Sequence, residues 1–600
     1  MAHPNIIVVG GGLAGLAATI KIAEMGGHVD LFSIVPVKRS HSVCAQGGIN
    51  AAKNLKGEGD STWIHFDDTV YGGDFLANQP PVKAMCDSAP GVIDLLDRMG
   101  VPFNRTPEGL LDFRRFGGTL YNRTAFAGAT TGQQLLYALD EQVRRYEAEG
   151  KVTKYEAWEF LSAVIDENRV CHGICALDLR GMGVHTFPAE AVIMATGGNG
   201  AIFGKSTNSV VCTGSAQSAL YQQGAFYANG EFIQVHPTCI PGEDKLRLMS
   251  ESARGEGGRV WVPKQPGDKR DPKSIPEGER WYFLEEWYPK YGNLVPRDIA
   301  TRAIHKVVYE HNLGIDGQPM VYLDLTHIDR KTLDRKLEGI LEIYEKFVGV
   351  DPRDVPMKIF PGMHYTMGGM WIDCKQATNI TGIYAAGECE FQYHGANRLG
   401  ASALMQGLAD GYFVIPYTLG HFLAQVKPGG VDETHLECAA ARHEVEERTK
   451  KFLSMKGKKT VDEFHRELGK VVWDECGMGR NAQGLDQALK RIPEIREEFW
   501  QNVRVPGSGN DLNQELEKAG RVADFLELGE LLVRDARVRE ESCGAHFREE
   551  YQTAEGEALR DDQNYCHVAV WEYTGENREP ALNKEPLAFE NVHLQQRNYK

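Results

Sequence analysis

Three features of this 600-residue chain predict an α/β fold: a glycine-rich turn between a β-branched strand and a helix, two later apolar strands ending in small-residue turns, and charged helical periodicity from about residue 419. The turn comes first. Asn5-Ile6-Ile7-Val8-Val9 reads as a buried parallel strand and runs into Gly10-Gly11-Gly12-Leu13-Ala14-Gly15, a G-x-G-x-x-G turn. The first glycine of such a turn makes the tight bend, the second lets backbone N–H groups approach a pyrophosphate, and the third lets helix and strand pack closely at the helix's positive end. Leu13 to Met25 continues as a helix, and Val29-Asp30-Leu31-Phe32 begins a second strand. The segment therefore reads as a Rossmann-like dinucleotide-binding unit, and its flanks weigh against a glycine turn without a ligand. One element of the pattern is absent. The acidic residue expected about 20 residues on, to bind a ribose, is replaced by Ser33. A hydroxyl reaches a ribose more weakly, which argues against a freely exchanging NAD but not against a flavin nucleotide held by many other contacts.

Further along, Ala191-Val192-Ile193-Met194-Ala195 runs into Thr196-Gly197-Gly198, and Gly382-Ile383-Tyr384-Ala385-Ala386 runs into Gly387-Glu388. Both read as strands of the same nucleotide-binding sheet. About 190 residues separate them, so the domain is expected to be discontinuous, with residues 1–238 and 359–418 interrupted by a unit at 239–358. Within the insertion, Lys264 to Arg280 is rich in Pro, Gly, Lys and Asp and reads as a surface loop. Residues 419–538 read as a helical bundle, from stretches such as Glu444-Val445-Glu446-Glu447-Arg448 and Val522-Ala523-Asp524-Phe525-Leu526-Glu527-Leu528. Residues 539–600 are polar and mixed, without a repeat or low-complexity tract.

Composition narrows the function. A chain of this length with 42% hydrophobic residues forms several cores rather than one. Its 66 basic and 83 acidic side chains give a net charge of −17, which repels nucleic acid and anionic lipid and means that a small anionic substrate needs a local basic pocket. The 12 cysteines include no C-x-x-C pair, so no zinc site, iron–sulfur ligand set or c-type haem attachment is expected, and a reducing cytoplasm suits free thiols. Met1-Ala2-His3-Pro4 carries no basic leader, and no run of about 20 apolar residues suits a transmembrane span. If the protein works at a membrane, another chain anchors it.

The remaining motifs are rich in cations and glycines. Lys38-Arg39-Ser40-His41-Ser42-Val43-Cys44-Ala45-Gln46-Gly47-Gly48 follows the second strand, where the loop should pass over the isoalloxazine side of a bound flavin. A histidine there can attack the flavin 8α-methyl group and form a covalent bond that raises the flavin's potential; by position alone, a surface histidine beside two cations is the simpler reading. His236-Pro237-Thr238, Ser250-Glu251 with Arg254-Gly255-Glu256-Gly257, Pro296-Arg297-Asp298, His364 with Gly368-Gly369, and His394 to Gly400 follow. Guanidinium forks among small neighbours suit a dicarboxylate, because they bind carboxylates bidentately. Each motif also has an ordinary reading: a turn at Arg254, a surface ion pair at Arg297-Asp298, a satisfied loop residue at His236.

In this order along nearly the whole chain, from residue 5 to at least Arg539-Glu540-Glu541-Ser542-Cys543-Gly544-Ala545-His546, the motifs resemble the flavoprotein subunit of succinate dehydrogenase and fumarate reductase. The resemblance implies a Rossmann-like FAD-binding domain, an inserted α+β capping domain and a C-terminal helical domain. It implies covalent FAD on His41, with Gly10, Gly11, Gly12, Leu13, Ala14, Gly15, Ser33, Lys38, Arg39, Ser40, Gly47, Gly48, Ser215, Glu388, Ala403 and Leu404 as further cofactor-binding positions. Arg297 matches the family's proton donor and acceptor, and Glu251 and Arg254 its relay to solvent. His236, Ser250, His364, Arg398 and Phe116 match positions that hold and orient the dicarboxylate.

The chain departs from the family's pattern at four positions. Thr213-Gly214-Ser215 lacks an acidic FAD contact, Ser250 stands for a frequent threonine, Ala253 for a cysteine and Ala403 for a serine; none removes a residue the chemistry needs. With no electron outlet of its own, the chain is expected to dock an iron–sulfur subunit, and through it a cytochrome b-type membrane anchor that reacts with quinone, on the cytoplasmic face of the inner (plasma) membrane. The resemblance leaves an L-aspartate oxidase as the alternative enzyme, against which Arg39-Ser40-His41-Ser42 argues. A flavin-bearing RNA-modification protein is disfavoured by the charge of −17.

Overall fold

Five parallel strands form the sheet that the glycine turn feeds, in the order Ile383–Ala385, Ala191–Met194, Asn5–Val9, His28–Ser33, Val152–Glu156. The computed structural model describes residues 4–242, 245–427, 429 and 432–600; Met1-Ala2-His3, read above as lacking a leader, lies outside them. The two late strands expected in this sheet are both there, Ala191–Met194 beside the first strand and Ile383–Ala385 at the edge. The helix Leu13–Glu24 packs its Leu, Ile and Ala side chains on the sheet. Gly10 has φ +120°, and a Cβ there would lie 2.1 Å from the Ala195 carbonyl oxygen; a Cβ on Gly15 would lie 1.9 Å from the Gly10 oxygen. Only glycine permits this turn from the strand Asn5–Val9 into the helix Leu13–Glu24, packed against the end of Ala191–Met194.

A second sheet of six strands is antiparallel, in the order Arg247–Leu248, Ile233–Ile240, Met357–Thr366, Val321–Asp324, Arg259–Pro263, Arg280–Trp281. The helices Arg297–His305 and Arg330–Val348 share its core. The expected boundaries at 238/239 and 358/359 fall inside two of its strands, Ile233–Ile240 and Met357–Thr366, which pass continuously from the nucleotide-binding unit into the insertion.

Four helices, Leu436–Ser454, Val461–Cys476, Ala482–Asn502 and Gln514–Val538, pack round one apolar core, as the periodicity predicts. The final segment differs from its reading as polar and mixed. His567–Glu572 and Ala581–Pro586 pair as antiparallel strands and join Tyr227–Ala228 and Gly369–Met370 in a four-stranded sheet. Val568, Ala569, Val570 and Trp571 are buried there, a short apolar run that vanishes when composition is averaged over 60 residues. Among the described residues no helix is long and apolar enough to cross a membrane.

Candidate functional site

A cavity of about 460 Å³ runs from the glycine turn to the second sheet. Gly10, Gly11, Gly12, Leu13 and Ala14 line one end with Ser33 and Ser215. Ser40, His41, Gly47, Gly48, Glu388, Ala403 and Leu404 line the middle, and Phe116, His236, Ser250, Glu251, Arg297, His364 and Arg398 close the far end. Four expected residues stand off the wall. Gly15 packs helix on strand instead. Lys38 places its ammonium 3.3 Å from the buried Asp140, Arg39 is not among the lining residues, and Arg254 lies in the layer behind Glu251.

Local structure explains how the far end forms. His236 and His364 stand on the paired strands Ile233–Ile240 and Met357–Thr366, where the register slips between Gln234 and Val235 and again between His236 and Cys239. His364 is the extra residue opposite the first slip, and such a bulge re-aims a side chain. The two imidazoles consequently meet edge to face with centroids 4.9 Å apart. The Thr238 N–H donates to His236 Nδ1 at 3.2 Å, so the ring proton sits on Nε2, which is buried without a partner. Thr207 Oγ1 lies 2.6 Å from His364 Nδ1. Burial, reinforced by Arg297, pushes both histidines well below the ordinary value and keeps them neutral.

Arg297 opens the helix Arg297–His305, immediately after Pro296. Its Nε donates to Glu251 Oε2 at 2.9 Å, its Nη2 stands 2.8 Å from the same oxygen, and its Nη1 donates to Gln234 Oε1 at 2.8 Å. Glu251 Oε1 accepts from Arg254 Nη2 at 3.2 Å and from the Gly117 N–H at 2.8 Å. Burial alone would raise this carboxyl; Arg297 and Arg254 outweigh it and hold Glu251 below its usual value. Arg398 Nη2 donates to the same Gln234 Oε1 at 3.1 Å and stacks its guanidinium 4.2 Å from the Tyr365 ring centre. Burial, then the neighbouring Arg297, lowers Arg398 to about 9. Gln234 thus joins the two arginines, a residue the motif reading missed. Its signal was period two: it lies two positions before His236 on one strand and shares its face.

At the middle of the cavity, the Ser209 N–H donates to His41 Nδ1 at 3.1 Å, and the Asn208 amide lies 3.3 Å from Nε2. Burial, with Lys245 and Arg398 nearby, lowers His41 to about 4, so the ring is neutral. Lys245 also lines the cavity and was not singled out from the sequence. Arg114 Nε donates to the Gly47 oxygen at 3.0 Å and fixes that loop. Glu388 accepts from the Thr366 N–H at 3.2 Å, and burial pushes it up to about 8.

The donor set fits a flavin dinucleotide. The glycine turn offers backbone N–H groups at a helix start, and the Leu13 N–H is 3.2 Å from Ser42 Oγ. Ala403 and Leu404 open a second helix whose N-cap, Ser402, accepts from Asn50 Nδ2 at 3.3 Å and makes no capping bond, so the first N–H groups of the helix are left for another acceptor. Ser40 Oγ, Gln46 Oε1, Thr196 Oγ1 and Arg398 Nε are buried without partners, and all four residues line the cavity. Buried polar atoms left in this way call for a polar ligand.

Known proteins share this architecture. Residues 5–404 match the family model described as FAD binding domain, and residues 465–599 match fumarate reductase flavoprotein C-term. The chain is 56% identical over 572 residues to the succinate dehydrogenase flavoprotein subunit of Bacillus subtilis, with 95% of each chain covered. It is 32% identical over 565 residues to the fumarate reductase flavoprotein subunit of Escherichia coli, covering 94% of this chain and 90% of that one. A solved E. coli quinol fumarate reductase structure superposes with a TM-score of 0.87 at 29% identity, over 99% of this chain and 98% of that one. The chain belongs to the FAD-binding family of succinate dehydrogenase and fumarate reductase flavoprotein subunits.

Proposed function

We propose that this chain interconverts succinate and fumarate. The observation that carries the reading is the charge at the far end of the cavity. Arg254 and Arg297 pair with the carboxylate Glu251 and Arg398 joins Arg297 through Gln234, while the two histidines are neutral. Three guanidinium charges against one carboxylate leave two positive charges, the complement of a dicarboxylate dianion. FAD, when bound, supplies the acceptor and donor of hydride at its N5 position.

The chain's own residues supply binding, orientation and the proton. His236 offers its free Nε2–H to one carboxylate, with His364, Ser250 and Arg398 beside it; such fixing of a reactant supplies several kcal/mol of barrier reduction. A guanidinium has five N–H groups. Arg297 spends three on Glu251 and Gln234, which leaves two for the substrate. An arginine is a weak acid, with an ordinary pKa above about 12; it can pass a proton only if another group restores it at once. Glu251 touches Arg297 with Oε2 and Arg254 with Oε1, and this contiguous arrangement suits a relay.

His41 carries the FAD covalently in this reading. The ring is neutral and bonds the flavin only through a nitrogen that carries no proton; the Ser209 N–H holds Nδ1 at 3.1 Å and the Asn208 amide lies 3.3 Å from Nε2, so the two contacts orient the ring toward the cofactor. Electrons then leave to an iron–sulfur subunit and, through it, to a cytochrome b-type membrane anchor and quinone. This chain would lie peripherally on the cytoplasmic face of the membrane.

Anaerobic addition of succinate to the purified, flavin-loaded protein should bleach the flavin absorbance, while L-aspartate in a parallel sample should not. Bleaching by aspartate alone would reassign the enzyme to amino-acid oxidation. Denaturation in acid should leave the flavin on the chain, and its release would remove the covalent assignment to His41.

A further inference from the structure

The segment 591–600 crosses from one core to another. Val592 is buried in the core beneath the helix Leu13–Glu24, where its N–H donates to Gln79 Oε1 at 3.0 Å and its carbonyl accepts from Gln79 Nε2 at 2.7 Å. Seven residues on, Tyr599 is buried in the core of the inserted unit, its ring 5.0 Å from that of Tyr291 and 5.5 Å from that of Tyr71. Between them stands Arg597, its side chain 5% exposed.

Its guanidinium bonds a carboxylate and a carbonyl, with a second carboxylate, Asp74, 3.7 Å from Nη2. Nη2 is ion-paired with Asp298, the residue that follows Arg297. Nη1 donates at 2.8 Å to the Gly72 carbonyl, which also accepts from Asn397 Nδ2 at 3.1 Å, and Asn397 precedes Arg398. The Asn397 Oδ1 in turn accepts from Gln234 Nε2 at 3.1 Å, and Gln234 Oε1 holds both Arg297 and Arg398. One buried fork is thus bonded toward the helix that carries Arg297 and toward the loop that carries Arg398.

We propose that Arg597 is a positioning residue for the reaction: it clamps Asp298 to the Gly72 carbonyl and thereby sets Arg297 against Arg398 across the dicarboxylate. The inference rests on the dicarboxylate reading of the site. A planar fork suits the task, since a lysine ammonium keeps the charge but not the two-sided geometry. Gln79 and Tyr599 anchor the segment on either side, so the fork is held at both ends.

The test uses the full chain with flavin bound. Turnover of succinate per bound flavin, with a dye as electron acceptor, is compared for wild type, Arg597→Lys, Arg597→Gln and the double variant Arg597→Gln/Asp298→Asn. Removing one partner of a buried pair leaves the other charge unpaired and threatens the fold; the double variant removes both charges of this pair, Asp74 keeps Arg560 at 3.4 Å, and the amide at 298 still offers an oxygen to Arg302, which stands 3.6 Å from Asp298. We expect it to keep wild-type flavin content and melting temperature but to lose about tenfold or more in kcat, with a smaller change in KM, because displacements near 1 Å cost factors of that order. Arg597→Lys should fall between. A double variant with normal melting temperature and kcat within twofold of wild type overturns the proposal, as does a loss accounted for by flavin content alone. If wild type itself fails to oxidise succinate, the functional reading falls, and the clamp is judged from amide hydrogen exchange: faster exchange at residues 298–300 in the double variant supports it, and unchanged exchange overturns it.

Discussion

Glu251 and Gln234 show how much of this site depends on residues that touch the guanidiniums rather than the substrate. Arg297 is held on three of its donors by these two side chains, and Arg398 shares the same glutamine oxygen. Replacing Arg297 with alanine should leave flavin bound and reduce turnover by about three orders of magnitude in both directions, the scale of a lost acid–base group; near-normal rates in either direction would remove the assignment. Gln234→Leu should cost less, about tenfold to a hundredfold in kcat, because the two arginines lose their common acceptor but Arg297 keeps Glu251. A wild-type rate would mean that the glutamine merely fills space. His41→Ala should release the flavin in acid and impair succinate oxidation more than fumarate reduction, since the covalent bond acts through the potential. Equal losses in both directions would undo that argument. The histidines, arginines and Glu251 were legible as residues because they stand in short motifs, flanked by glycine at Arg254, His364 and Arg398 and by proline at His236 and Arg297. Gln234, Thr207 and Lys245 were not, because their roles come from strands and loops brought together by the fold.

At the scale of elements, the glycine turn and its two strands could be read directly, because one local stretch contains both the periodicity and the residues that the turn requires. The sheet partners Ala191–Met194 and Ile383–Ala385 were recognisable from their apolar runs ending in small residues, although nothing local says that they are neighbours. The register slips between Ile233–Ile240 and Met357–Thr366 that place His236 beside His364 were not legible, since a slip depends on the facing strand. The hairpin of His567–Glu572 and Ala581–Pro586 was hidden by its polar surroundings, and its second strand is mostly exposed. The turn itself is the sharpest element to test. Gly15→Val would set a side chain where even a Cβ lies 1.9 Å from the Gly10 oxygen, which a backbone neighbour cannot vacate. The variant should be recovered without flavin, or insoluble, while substitution of the exposed Gly57, with nothing within 4 Å of its Cβ, should leave flavin content unchanged apart from modest strain at its φ of +67°. Normal flavin content in Gly15→Val would mean that the helix can slide away from the sheet.

For the whole molecule, two sets of buried groups pull stability in opposite directions as pH changes. His65, His236, His364, His394 and His546 are held below the ordinary value, by burial first and by neighbouring arginines second; His394 falls to about 3. An unfolded histidine takes up its proton near pH 6.5, so below that pH the unfolded chain binds protons that the native one refuses, and each such group costs up to about 1.4 kcal/mol per pH unit. Glu388, Glu390 and Asp535 are shifted the other way by burial, Glu388 to about 8. The native chain keeps these protons after the unfolded carboxyls have lost theirs near pH 4, so their contribution is full below that value and declines as pH rises through the folded value. Between pH 4.5 and 6.5 these histidines, joined by His41 and His567 at about 4, push stability up with pH, while the raised carboxyls, joined by Asp68 and Asp410 at about 6, push it down, so the two sets oppose each other there. Above pH 7 the histidines no longer contribute a slope; the raised carboxyls remain, joined near pH 8.5 and above by buried cysteines such as Cys86 and Cys171, whose thiols burial raises, so stability should fall. Thermal unfolding of the flavin-loaded protein should therefore show a midpoint that declines from pH 7 to 8, and Glu388→Gln should flatten that decline. A midpoint that climbs steadily to pH 9 would mean that the buried carboxyls are ionised in the native protein, and the neutral Glu388 beside the cofactor site would have to be abandoned.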